Sequence, residues 1–149
     1  MRLKDKIAIV TGGSRGIGYA IVETFLREGA TVVLTASSES SAQKAVEKLK
    51  KTWPEGTICG IAPNLSDLSS VTEAFQGVQQ AFGCIDILVN NAGVSESTPL
   101  LSYTQETFDN VIDLNVRGVF NASRAAAEIM EKQGGGVILN TSSMVSIYG

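Results

Sequence analysis

Thr11-Gly12-Gly13-Ser14-Arg15-Gly16-Ile17-Gly18 places four glycines in eight residues, directly after a short apolar run. A glycine-rich turn between a strand and a helix lets backbone N–H groups approach a pyrophosphate. The N-terminus of the following helix adds partial positive charge. The chemistry implied is anion binding. Glycines also serve ordinary turns, so spacing alone says little; a strand before and a helix after favour a dinucleotide site. Two further places carry polar groups in unusual settings. Asn115, in Asp113-Leu114-Asn115-Val116, interrupts a helical pattern. Asparagine is a poor helix former and needs a reason there. A solvent-facing polar residue is the plain alternative, and the apolar neighbours argue against it. Asn140-Thr141-Ser142-Ser143 closes an apolar run, where a serine pair is often only a turn.

Other chemistries are excluded by residue type. The chain contains no histidine, so Ser-His-Asp triads, Cys-His dyads and histidine metal sites are out. Cys59 and Cys84 are its two cysteines, form no CxxC pair, and cannot build a zinc site alone. With 12 basic and 15 acidic residues the net charge is −3, and no basic stripe exists. Neither nucleic acid nor an anionic membrane is an expected partner. The apolar run before Thr11 is too short to span a bilayer or to serve as a signal peptide. A cytoplasmic protein is expected, and few cysteines fit a reducing compartment.

The elements that must position these residues alternate regularly along 149 residues, a length that suits one domain. Ile7-Ala8-Ile9-Val10 reads as a buried strand. Ile17, Ala20, Ile21, Thr24 and Phe25 recur at helical spacing, with Gly29 as a stop. Residues 31–35 form a second strand. Ala42, Ala45, Val46, Leu49 and Trp53 mark a second helix. Residues 57–62 form a weaker third strand. Leu68, Val71, Phe75, Val78 and Phe82 make an amphipathic stripe, capped by Asp67 or Ser66 and ended by Gly83. Residues 85–89 are the fourth strand. A single long helix is expected over about 104–132, with Phe108, Val111, Ile112, Val116, Val119 and Phe120 on its apolar side. Residues 137–140 are the fifth strand. The order βαβαβαβαβ, with near-continuous apolar strands, implies a doubly wound α/β fold with a parallel sheet covered on both faces.

The glycine spacing is G-x-x-x-G-x-G, and Asn90-Asn91-Ala92-Gly93 follows the fourth strand. Together they resemble the short-chain dehydrogenase/reductase family, from about Lys6 onward. That resemblance implies a Rossmann-like domain over 1–149, incomplete at its C-terminus, and an NAD(P)-dependent oxidoreductase. It places the cofactor against Gly12, Ser14, Arg15, Gly16, Ile17 and Gly18, and against Asn90, Asn91, Ala92 and Gly93. Asp86 is expected to stabilise the turn around the second motif. Asn64-Leu65 stands where the family usually has an aspartate that contacts adenine. Asn64 keeps a carbonyl and an amide but loses the charge.

An acidic residue at the end of the second strand would bond the ribose 2′-OH and repel a 2′-phosphate. Here Leu34-Thr35-Ala36-Ser37-Ser38 contains none, and Glu39 is the first carboxylate. Ser37 and Ser38 offer hydroxyls, and Arg15 could reach a 2′-phosphate. NADP(H) is favoured over NAD(H), although Arg15 also fits a merely solvated charge.

The family's chemistry uses Asn, Ser, Tyr and Lys side chains. Asn115 matches the asparagine that holds a water on a proton relay. Ser143 matches the serine that polarises the substrate carbonyl, with Ser142 as its neighbouring competitor. The tyrosine and lysine should follow as Tyr-x-x-x-Lys, but residue 149 comes first, and no lysine follows Lys132. Tyr148 is too close to Ser143 to match. The chain therefore resembles about the first three-fifths of such a reductase, without the part that builds the substrate pocket. The parent is expected to be a homo-oligomer acting on a small carbonyl or alcohol. The opening segment looks most like 3-oxoacyl-acyl-carrier-protein reductases, with hydroxysteroid and polyol dehydrogenases as alternatives. A nucleotide-binding module without turnover is the competing reading, and a flavodoxin-like protein a weaker one.

Overall fold

The computed structural model describes residues 1–144 and residue 147. Five strands form one parallel sheet: β1 (Ile7–Val10), β2 (Thr31–Thr35), β3 (Ile58–Ile61), β4 (Ile87–Asn90) and β5 (Val137–Asn140), in the order β3-β2-β1-β4-β5. β1 lies at the centre, with Ile9 beside Val33 on one side and Leu88 on the other. All four β1 residues are buried, as a strand covered on both faces requires.

Helices cover the two faces. α1 (Gly16–Arg27) and α2 (Glu39–Thr52) pack Val22, Leu26, Ala42, Ala45 and Leu49 over Val10, Val32 and Leu34. On the other face α3 (Leu68–Phe82) brings Val71, Phe75 and Val78 against Ile9, Val33 and Leu88. Asp67 caps α3 by accepting from the Ser69 N–H at 2.9 Å, and Gly83 ends it at φ 90°. The expected fold class and the five expected strands are present.

The long helix differs from expectation. α4 (Gln105–Ile112) and α5 (Val119–Gln133) are joined by a π-helical stretch, Asp113–Gly118, so helical backbone continues with a changed hydrogen-bond register. The buried face of α5 is Asn121, Ala122, Ala125, Ala126, Ile129 and Met130. Phe108, Val116 and Phe120 are half exposed instead. Small alanines allow α5 to lie close to α3 and the sheet, which leaves the bulkier residues on the outer face. In α1 the buried positions are Gly18, Val22 and Leu26, while Ile17 is exposed at the helix start.

β4 also starts later than the apolar pattern predicts. The Ile85 N–H and carbonyl bond the Gln133 side chain at 3.1 and 2.7 Å rather than a strand. Asp86, the next residue, lies at the opposite end of β4 from Asn90–Gly93. It does not brace that motif; it accepts from the Ile7 N–H at 2.9 Å and from Lys6 Nζ at 3.1 Å. It therefore ties the start of β1 to the start of β4.

Candidate dinucleotide-binding site

The carboxyl ends of β1, β2, β3 and β4 open into a cleft of about 820 Å³. In a doubly wound sheet this is where ligands bind. The strand β1 delivers Thr11, whose side chain locks the two motifs together. Its Oγ1 accepts from the N–H groups of Asn91 and Ala92, both at 3.0 Å. Asn91 Nδ2 returns a bond to the Thr11 carbonyl at 3.1 Å. Thr35, at the end of β2, accepts from the Gly12 N–H at 3.2 Å. Both threonines are buried. Their roles depend on contacts 80 and 23 residues apart, and only their position at strand ends hints at them.

Two glycines show what the loop is shaped to hold. Gly16 sits at φ 57° with open space where a Cβ would project, on the wall of the cleft. Gly18 opens α1 so close to the loop that a Cβ would strike the Gly12 carbonyl oxygen and lie 2.5 Å from Asn91 Nδ2. Arg15 is the N-cap of α1 without a side-chain cap bond, and the first turn has no acidic residue. The first N–H groups of α1 are left for an anion. Open space over Gly16 and a backbone packed tightly at Gly18, beside an uncapped helix start, fit a dinucleotide pyrophosphate.

Gly12, Ser14, Arg15, Gly16, Ile17 and Gly18 all line this cleft. So do Ser37 after β2, Asn64 and Leu65 after β3, and Asn91, Ala92 and Gly93 after β4. Ser38 does not; it caps α2 by accepting from the Ser41 N–H at 3.2 Å. Arg15 is exposed and has no carboxylate partner among the described residues. The lining also includes Asn110, Asp113 and Leu114 from the α4–π junction, which sequence reasoning did not single out as site residues.

Asn115 belongs to the π-helical stretch, a feature that recurs at functional sites. Its Oδ1 accepts from the Val94 N–H at 2.8 Å and its Nδ2 donates to the Val94 carbonyl at 2.7 Å. That pair fastens the segment after Gly93 to the helix. Ser143 follows β5, is exposed, and is not among the residues lining the cleft. Tyr148 lies outside the described residues. Asn90, buried at the end of β4, donates through Nδ2 to Asn140 Oδ1 at 2.8 Å and to Ser123 Oγ at 2.9 Å.

A sequence model described as short chain dehydrogenase matches residues 6–149. The chain belongs to the short-chain dehydrogenase family. Among relatives of this family, a 3alpha-hydroxysteroid dehydrogenase from Mediterraneibacter gnavus is 54% identical over all 149 residues. A 3-oxoacyl-acyl-carrier-protein reductase from Thermotoga maritima is 37% identical over the same span. The chain covers 60% of the length of each. A crystal structure of a Sinorhizobium meliloti protein assigned as a short-chain alcohol dehydrogenase superposes with a TM-score of 0.90 at 31% identity. That match covers 99% of this chain and 57% of the other. Short-chain dehydrogenases are oxidoreductases that use a nicotinamide dinucleotide.

Proposed function

We propose that this chain is the cofactor-binding portion of an NADP(H)-dependent oxidoreductase that moves hydride between nicotinamide and a carbonyl carbon or secondary alcohol. The observation that carries this reading is the cleft at the strand ends, where an uncapped helix start, a cradle of glycines and Asn91–Gly93 face one space. A bound nicotinamide supplies the hydride. The chain's own residues bind and orient. Loop and helix N–H groups take the pyrophosphate. Arg15 and Ser37 take a 2′-phosphate, because no carboxylate from the end of β2 lines the cleft.

Asn115 keeps one N–H and one lone pair beyond its bonds to Val94. This reading gives them to a water on the proton path. Ser143 is assigned to the substrate carbonyl oxygen. No tyrosine in these 149 residues is followed four positions later by lysine; Tyr19 is followed by Glu23 and Tyr103 by Thr107. By the family resemblance the tyrosine of that pair is the general acid/base, and these 149 residues do not contain the pair.

A 3-oxoacyl thioester is the favoured substrate class on the opening motifs. The 54% identity to a hydroxysteroid dehydrogenase gives a 3-hydroxysteroid specific support as a second. A homo-oligomeric parent in the cytoplasm completes the proposal. The test is loss of nicotinamide absorbance with a 3-oxoacyl thioester and with a 3-oxosteroid. The 149 residues are expected to bind NADPH without oxidising it, and full-length protein carrying Tyr-x-x-x-Lys to turn over one of the two. Turnover by the 149 residues alone contradicts the assignment of the proton donor.

A further inference from the structure

The adenosine end of the cleft holds an acceptor that the reading above does not use. With phosphates at the glycine loop and a ribose at the end of β2, the base of a dinucleotide lies beyond, toward β3. Ala62, Asn64 and Leu65 after β3 line the cleft, as do Asn110, Asp113 and Leu114 from the α4–π junction. Leu65 and Leu114 suit the faces of a base. Adenine also presents an exocyclic amine, a donor that needs an acceptor.

Asn64 does not offer one. Its Oδ1 already accepts from the Ser66 N–H at 3.1 Å and from Ser66 Oγ at 2.8 Å, which uses both lone pairs. What remains on Asn64 is its amide N–H groups, the wrong polarity for an amine. Asp113 has the right polarity. Its Oδ1 accepts from Arg117 Nε at 2.8 Å, an exposed pair one helical turn apart, and its second oxygen has no partner among the described residues. The π-helical stretch that bears Asp113 abuts the turn that bears Asn64. The Asp113 carbonyl oxygen and Leu65 Cβ lie 3.4 and 3.3 Å from where a Cβ on Gly118 would sit. Asn121, buried on α5, donates to the Leu65 carbonyl at 2.9 Å and holds that turn in place.

We infer that Asp113 reads the base: its second carboxylate oxygen accepts the exocyclic amine of adenine, the contact that Asn64 is not free to make. The inference rests on the dinucleotide reading above. The experiment compares affinities for NADPH and for its hypoxanthine analogue, in which an oxo group replaces that amine. Titration calorimetry is applied to the unsubstituted chain and to Asp113→Ala, Asp113→Asn, Asn110→Ala and Asn64→Ala. The unsubstituted chain prefers NADPH by about tenfold, the scale of one charge-assisted hydrogen bond. Asp113→Ala abolishes that preference, the shape-conserving Asp113→Asn narrows it, and Asn110→Ala and Asn64→Ala retain it. A preference unchanged in both Asp113 variants, or lost in Asn110→Ala or Asn64→Ala, overturns the inference. NADPH binding without any base preference overturns it alone. Absence of NADPH binding overturns it together with the dinucleotide reading.

Discussion

Arg15 is the only cation among the described residues that line the cleft. An arginine bonded to a 2′-phosphate contributes a charge-assisted interaction of about 1.5–3 kcal/mol. Arg15→Ala is therefore expected to weaken NADPH binding by about tenfold or more and to leave NADH binding unchanged. Equal losses for both would mean that Arg15 is a solvated charge. Asp86 has a structural task with a pH signature. Burial pushes its carboxyl up, but the Ile7 N–H, the Lys6 ammonium and the Cys84 thiol outweigh burial and hold it below the ordinary value. A carboxyl lowered in the folded state stabilises the fold above its unfolded value, and that contribution is lost as pH falls through the folded one. Urea denaturation should show Asp86→Ala destabilised by about 1–3 kcal/mol near neutrality. The gap to the unsubstituted chain should close in acid, below about pH 4. A gap independent of pH would remove the ionised carboxylate from the account. The motif residues at this scale were legible because chemistry restricts their types: Gly16 takes a left-handed backbone that favours glycine, and Gly18 stands where a Cβ would strike the Gly12 carbonyl. Thr11 and Thr35 were not, since a threonine at a strand end looks the same whether or not a loop from elsewhere in the chain docks on it.

The strands were legible at the scale of elements because burial on both faces erases alternation, so β1 and β2 stand out as apolar runs. The ends of β4 were not, because Ile85 is as apolar as its neighbours and only Gln133, 48 residues away, decides where its N–H and carbonyl bond. The π-helical stretch was hidden for a related reason. Asp113–Gly118 lies within one uninterrupted run of helical backbone, and the wider hydrogen-bond ring shows only in the backbone. Asn115 was the one signal, an asparagine with apolar neighbours, and its side chain turns out to pair with the backbone of Val94. Asn115→Ala is expected to leave the helix intact and release that segment. Hydrogen exchange at the Val94 amide should speed markedly, while β4 amides keep their protection. Unchanged exchange at Val94 would show that the segment is held by other contacts.

At the scale of the whole molecule, the exposed apolar residues gather in the later part of the chain. Val137 and Leu139 on β5 are about half exposed, β5 pairs only with β4 among the described strands, and Leu100 and Leu101 on the short 3-10 turn Leu100–Ser102 are almost bare. An unpaired edge and uncovered apolar faces favour association. Sedimentation of the 149 residues is expected to show a mass that rises with concentration, and a strictly monomeric chain at high concentration would contradict this. The central claim is that the cleft at the strand ends holds NADPH through its glycine cradle. The measurement that reaches it most directly is calorimetric titration of the chain with NADPH and NADH, repeated on Gly16→Asp. Aspartate tolerates the left-handed backbone at Gly16 better than most residues, yet places bulk and negative charge where the pyrophosphate belongs. NADPH is expected to bind more tightly than NADH, and neither is expected to bind Gly16→Asp, whose circular dichroism spectrum is unchanged. Equal affinities would contradict the 2′-phosphate assignment, and dinucleotide binding that survives Gly16→Asp would contradict the site itself.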